Sequence, residues 1–170
     1  MIHPDHYDWT RFVPDHTAVL CFVRSGRRVL LIRKKRGLGA GKINAPGGKC
    51  DPGEPPYTAA IRETQEEVGI LAADLRNHGV LRFAFSDGYT LKVYIFVAYR
   101  HEGSAVSTDE ADPFWIDIAA IPYEEMWEDD RHWLPRVLAG HRVESEMLFH
   151  HDDMIDWDIR FSDGVRLRRT

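Results

Sequence analysis

Glu63, Glu66 and Glu67 fall within five positions, with Arg62 beside them and Glu54 upstream, all inside GGKCDPGEPPYTAAIRETQEEVGI, residues 47–70. Carboxylates are the hard oxygen ligands that Mg2+ accepts, usually one or two from the protein, with water and substrate phosphate completing the shell. On a helical wheel of residues 57–68, Tyr57, Ile61, Thr64 and Val68 gather on one side and the three glutamates on the other. A solvated acidic face is the ordinary reading of such a run. Two features oppose it. Glu63 and Glu67 are a like-charge i,i+4 pair, which costs about 0.2–0.5 kcal/mol. Glu66 and Glu67 also occupy the last turn, where the helix dipole disfavours anions by about 0.3–1 kcal/mol. A divalent cation relieves both penalties, so the residues themselves favour a metal site facing outward from the helix.

That helix needs ends, and the sequence supplies them. Pro55 and Pro56 fit a first turn and Gly69 fits a C′ position. Upstream, HTAVLCFV and RVLLIRKK read as strands joined across RSG, and the five glycines of residues 37–48 predict a loop crossing short extended pieces. Downstream, VLRFAF and YTLKVYIFVAYR flank SDG as a second hairpin, PFWIDI is a further strand, and EMLFH pairs with MIDWDIRF across HDD. RHWLPRVLAG predicts a second helix ending near Gly140, with Pro135 barring a regular start much before Trp133. The class is α+β, mostly antiparallel strands with two main helices.

Composition narrows the function. The chain has 170 residues and 44% hydrophobic content, which predicts one domain over 1–170. Its net charge of -5 offers no basic stripe for nucleic-acid phosphates. Cys21 and Cys50 are too few and too scattered for a disulfide framework or a zinc site. The N-terminal MIHPDHYDWTRFVPDH has no continuous apolar stretch, so neither a signal peptide nor a membrane span is expected, and a cytoplasmic location follows. His150, His151, Asp152 and Asp153 read as a polar turn, and Cys50 as a small loop or core residue.

The order Gly48, five residues, Glu54, seven residues, then Arg62-Glu63-Thr64-Gln65-Glu66-Glu67-Val68-Gly69-Ile70 resembles the Nudix box, the signature of MutT-type pyrophosphohydrolases. Thr64 departs from the family, which usually has a larger aliphatic residue there. Its position on the buried stripe makes this a matter of packing. The resemblance implies the Nudix fold, a mixed and largely antiparallel sheet packed between helices as an α/β/α sandwich. It also implies hydrolysis of a nucleoside diphosphate linked to another group. Under it, Glu63, Glu66 and Glu67 serve as Mg2+ or Mn2+ ligands or as the base, with the Gly47 carbonyl a further ligand, while Glu54 and Arg62 orient them. Which glutamate is the base stays open.

KKRGLGAGKINAPGGK, STDEADPFW, IPYEEMWEDDRHWLP and MLFHHDDMIDWDIRF extend the resemblance over nearly the whole chain, to the oxidised-purine nucleoside triphosphatase group. Carried over position by position, this implies that Asn44, Asp129 and Asp130 read the base edge and that Trp127 stacks on the base. It places Thr17, Lys34 and Lys49 among the substrate contacts and Glu110 near the metals. Locally each has a plainer reading: Asp129 or Asp130 a helix cap, Trp127 core, Asn44 a turn residue, Glu110 a solvated acid, Lys34 a solubiliser, Thr17 an ordinary strand residue. Leu38 stands where the group has an aromatic, Ile43 where it has a tryptophan, and Ala45-Pro46 where it has a glycine-aromatic pair, which implies a remodelled pocket floor. The expected partner is a small nucleotide, with no nucleic acid and no membrane, bound by a monomer or small homo-oligomer. ADP-ribose or dinucleoside polyphosphate hydrolysis ranks lower, because the chain has no proline between Pro56 and Pro113 and no tyrosine between Tyr57 and Tyr89. A non-catalytic nucleotide sensor ranks lower again, because the box carboxylates are intact.

Overall fold

A computed structural model describes residues 6–169. The reading of the N-terminus as free of a leader therefore lies, for residues 1–5, outside the described residues. The strands are β1 (His16–Ser25), β2 (Arg28–Lys34), β3 (Ile43–Asn44), β4 (Gly47–Lys49), β5 (Leu71–Phe85), β6 (Thr90–Glu102), β7 (Ala111–Asp117), β8 (Val143–His150), β9 (Asp153–Phe161) and β10 (Arg166–Arg168). The helices are α1 (Pro56–Val68) and α2 (Asp130–Leu138), with three short 3-10 turns besides.

The sheet runs β10-β9-β8-β5-β6-β1-β2-β3, with β4 added beside β1 and β7 beside β2. β1 with β6 and β5 with β8 are parallel, and the other pairings are antiparallel. β1 and β2 form the expected hairpin but stay paired only at its tip, Arg24↔Val29 and Ser25↔Arg28. Beyond the tip they part. β1 pairs with β6 and β4 while β2 pairs with β7, and the gap between them opens a cleft in the sheet.

Strand alternation divides the core into two layers. Val19, Cys21, Val23, Leu30 and Ile32 pack under α1 against Ala59, Ala60 and Val68. Phe22, Val29 and Leu31 face the opposite way and meet Trp133, Leu134 and Val137 of α2. The sheet is thus sandwiched between helices, as the Nudix resemblance implies.

α1 begins at Pro56 and closes on Gly69, which adopts φ 75° and donates its N–H to the Gln65 carbonyl. Its buried face differs from the wheel. Tyr57 is 47% exposed, Ala59 and Ala60 are buried in its place, and Glu67 is only 4% exposed. α2 starts at Asp130, earlier than Pro135 led one to expect. The ring removes one N–H, and Trp133 and Leu134, both fully buried, hold the turn by packing.

Candidate functional site

β4 brings the glycine loop against both β1 and α1, and only glycine permits this. A Cβ at Gly47 would lie 2.0 Å from the Val19 carbonyl oxygen, and one at Gly48 would lie 2.5 Å from the Glu63 carboxyl carbon. The Gly47 N–H donates to Glu67 Oε2 at 2.8 Å, which fixes that buried carboxylate at the end of the cleft.

Arg62 organises the outer carboxylates. Its Nε and Nη2 grip both oxygens of Glu54 at 2.8 and 2.7 Å. Its Nη1 donates to Glu63 Oε1 at 2.8 Å and Glu66 Oε2 at 3.2 Å, and its Nη2 reaches the Lys49 carbonyl at 3.2 Å. The Arg62 bonds, helped by the Asp51 N–H, hold Glu54 at about 2, so it is a permanent anion with no proton to move. Glu54 thus anchors Arg62, which in turn bonds Glu63 and Glu66.

The carboxylates grade from solvent to interior, contrary to a uniformly outward cluster. Glu66 keeps 57% of its side chain exposed, Glu63 keeps 15%, and Glu67 is enclosed. The helical wheel reports only the helix's own period, and here β4 covers the flank that carries Glu67. Burial pushes Glu67 up to about 7, against the pull of the Gly47 N–H and the Lys34 charge, while Glu110 and Glu63 push it further up. Burial likewise raises Glu63 against the hold of Arg62, with Glu66 and Glu110 adding to the rise. The charge of Glu110 thus reaches both Glu63 and Glu67.

This donor set fits a hard divalent cation. Burial raises the proton affinity of Glu63 and Glu67, the neighbouring carboxylate charges add to that rise, and the absent Gly48 side chain leaves room beside Glu63. Among the described residues no three His, Cys, Asp or Glu side chains already stand together as a preformed cage. An Mg2+ site built on one or two carboxylates, with water and substrate phosphate, needs none. The residues able to hold it are Glu63, Glu66, Glu67 and Glu110, with the Gly47 carbonyl.

From Glu67 a cavity of about 130 Å3 runs through the cleft to the start of α2. Lys34, Asn44, Trp127, Asp129 and Asp130 all line it, together with Gly47 and Gly48. The fold thus brings these five residues, from two distant stretches of the sequence, to one space. Thr17 and Lys49 do not reach it: Lys49 is exposed on β4, and Thr17 uses its carbonyl to accept the Cys50 N–H at 2.9 Å. From β1 it is Ala18, Val19 and Leu20 that line the pocket instead.

Asp129 and Asp130 are 2% and 3% exposed. Asp129 makes no side-chain cap. Its Oδ2 accepts from the Trp133 indole Nε1 at 2.8 Å. Asp129 Oδ1 and Asp130 Oδ2 are buried without a partner among the described residues. Burial pushes Asp129 up to about 6 despite the indole N–H. Burial, with the charge of Asp129 added, raises Asp130 well above the carboxylate range. Both carboxyls are thus inclined toward the protonated form, which lets the pair offer an O–H donor beside a carboxylate acceptor.

Asn44, in β3 and not in a turn, accepts the Ala45 N–H on its Oδ1 at 2.8 Å while its side chain lines the pocket. Trp127 stands edge-on to Phe85 and Phe149, with ring centroids 6.3 and 5.7 Å away. Gly39, at φ +79°, lets the glycine loop pass Trp127, since a Cβ there would be 2.7 Å from Nε1. Of the substituted floor positions, Ala45 lines the pocket, Leu38 sits at its exposed rim, and Ile43 turns into the core. Sequence reasoning missed the apolar wall of Phe83, Phe85 and Phe149. Period-2 alternation in VLRFAF was the available signal for the first two. Their meeting with Phe149 depends on the parallel β5–β8 pairing across a long crossover. The His150–Asp153 turn is polar as expected, with His150 Nδ1 2.8 Å from Ser86 Oγ and Asp152 3.3 Å from Lys42.

A NUDIX domain profile matches residues 14–137. The chain is 42% identical over 129 residues to a protein of Danio rerio named oxidized purine nucleoside triphosphate hydrolase, covering 75% of this chain and 83% of that one. It is 36% identical over 137 residues to the Mus musculus protein of the same name, covering 80% and 88%. Among solved structures, a MutT protein from Bacillus halodurans superposes with a TM-score of 0.76 at 25% identity, over 88% of this chain and 99% of that chain.

Proposed function

The chain belongs to the NUDIX family and is a hydrolase, and from that premise we propose that it cleaves oxidised purine nucleoside triphosphates, 8-oxo-dGTP-like nucleotides among them, to the monophosphate and pyrophosphate. The observation that carries the reading is the continuity of one cleft from the box carboxylate Glu67 to the buried pair Asp129 and Asp130. A triphosphate at one end and a purine edge at the other match the two chemistries.

Base recognition rests on complementary hydrogen bonding. The shared proton of Asp129 and Asp130 offers a donor beside an acceptor, and the Asn44 amide adds both kinds of group. Oxidation at the purine changes which ring positions donate. A buried site left with an unpaired group rejects the wrong partner by more than an apolar pocket can. Trp127 supplies a π-face, worth about 1–3 kcal/mol per base in single-strand binders.

At the other end, Mg2+ or Mn2+, when bound, lowers the pKa of a water and neutralises pyrophosphate charge. Glu67, enclosed at the end of the cleft with its pKa pushed up to about 7, is the group we assign to accept a proton from the attacking water. The Gly47 N–H occupies Oε2 and leaves Oε1 for this role. Lys34 adds positive charge where the phosphates enter the cleft. The reaction adds water across the link between the α- and β-phosphates and releases pyrophosphate.

The test is initial-rate hydrolysis of 8-oxo-dGTP, 2-oxo-dATP, dGTP and ADP-ribose with Mg2+, products resolved by chromatography. Preferential turnover of an oxidised triphosphate supports both ends of the cleft. Preference for ADP-ribose, or for dGTP over its oxidised form, overturns the pocket assignment.

A further inference from the structure

Lys34 and Lys35 are adjacent at the end of β2, and an extended chain sends neighbours to opposite sides. Lys34 lines the cleft. Lys35 turns to residues 107–112 and spends its ammonium there. Its Nζ donates to the Thr108 carbonyl at 2.8 Å and the Ser107 hydroxyl at 3.2 Å, and pairs with Asp112 Oδ1 at 3.0 Å. The Ser107 hydroxyl donates in turn to Asp112. An ammonium has three protons, and here one short segment supplies three acceptors.

That segment carries Glu110. The Lys35 main-chain N–H donates to the Glu110 carbonyl at 3.0 Å, and Arg36 Nη2 lies 3.0 Å from Glu110 Oε1. The segment is also fastened to α1. The Thr108 hydroxyl donates to the Glu67 carbonyl at 2.7 Å, in the last helical turn, where carbonyls lack intrahelical partners. The Val106 N–H reaches the Val68 carbonyl at 2.9 Å. Lys35 and Thr108 therefore tie the strand end, the Glu110 segment and the end of α1 into one unit.

We propose that Lys35 is a positioning residue that sets Glu110 against Glu63 and Glu67, so that its loss weakens divalent-metal binding and leaves nucleotide binding alone. The inference rests on the reading in which Glu110 and the box glutamates face the metal. Partners behind metal ligands typically contribute 10- to 100-fold in metal affinity.

Mn2+ titration of the nucleotide-free protein, followed by the electron paramagnetic resonance signal of free Mn2+, reads this directly. Lys35→Met is expected to raise the Mn2+ Kd about tenfold and the half-saturating Mg2+ concentration in turnover by a similar factor. The nucleotide KM at saturating Mg2+ should stay within about twofold, and Lys35→Arg should recover part of the loss. Thr108→Val, which removes one hydroxyl at constant volume, should shift Mn2+ binding in the same direction and decides the matter where Lys35→Met does not fold. Glu110→Gln separates the two layers of argument. Unchanged Mn2+ affinity in that variant removes Glu110 from the site and the proposal with it. Weakened binding in Glu110→Gln with wild-type binding in the Lys35 and Thr108 variants overturns the positioning role alone. A tenfold rise in nucleotide KM with unchanged Mn2+ affinity makes Lys35 a phosphate contact and also overturns it.

Discussion

Glu67 and Asp130 are both buried carboxyls with raised proton affinity, and the consequence for stability has a definite sign. A carboxyl raised on folding contributes stability that is fully present below its unfolded pKa and is lost as pH rises through the folded value. For Glu67 the window runs from the ordinary 4.5 to about 7. In metal-free buffer at pH 8, Glu67→Gln should therefore melt above the wild type, by up to about 3 kcal/mol of unfolding free energy. The gain should shrink toward zero at pH 4, while kcat falls by about 10²–10⁴-fold. Thermal melts at the two pH values and single-substrate kinetics check both signs. A Glu67 with no part in the chemistry would show the same pH-dependent stability with only a modest change in rate. Asp130→Asn should repeat the stability pattern, since Asp130 is raised by burial and by Asp129. Its kinetic effect should differ, appearing as KM for the oxidised purine and as lost preference over dGTP. A variant with normal preference would return Asp130 to a structural role.

At the level of elements, two adjacent glycines separate architecture from chemistry. A Cβ at Gly47 meets the backbone oxygen of Val19, which cannot move without breaking the β1–β4 ladder, whereas one at Gly48 meets the free end of the Glu63 side chain. Gly47→Ala should lose about 1–3 kcal/mol or more by overpacking. Gly48→Ala should stay within about 1 kcal/mol of wild type by chemical denaturation, yet lose on the order of 10²-fold in kcat because Glu63 is displaced. Equal destabilisation of both variants would remove the distinction. These elements also show what a sequence makes legible. Pro55, Pro56 and Gly69 marked the ends of α1 because capping is local chemistry. The enclosure of Glu67 was not legible, since it depends on β4 arriving 20 residues upstream to bond it. β5 begins at Leu71, well before the VLRFAF run, because β6 pairs with LAADLRN across a bulge between Asn77 and Gly79 despite its polar composition. Asp129 looked like a helix cap because Asp before a helix usually is one. Its partner instead is an indole four residues on.

The molecule as a whole places the box and the base pocket in different layers and joins them through the cleft left where β1 and β2 part. α1 carries the carboxylates over one face of the sheet, and α2 opens with Asp129 and Asp130 over the other. A nucleotide that spans the cleft touches both, so its phosphates can complete the shell of a cation held by carboxylates that do not form a cage by themselves. Metal and nucleotide should then stabilise the protein cooperatively. A ligand that binds only the folded state at 100 times its Kd adds about 2.7 kcal/mol, which for a chain of this size shifts Tm by roughly 2–4 °C per kcal/mol. Mg2+ alone and 8-oxo-dGMP alone should each give a small shift. Mg2+ with a non-hydrolysable oxidised purine triphosphate should exceed the sum of the metal and triphosphate shifts measured separately, by the coupling free energy between sites, typically 1–3 kcal/mol. Glu63→Gln, at a carboxylate able to hold the metal, should abolish the excess while leaving the 8-oxo-dGMP shift, and Asp130→Asn should do the opposite. Additive shifts would mean that metal and triphosphate bind at independent sites. The single continuous cleft would then lose its claim to hold one substrate.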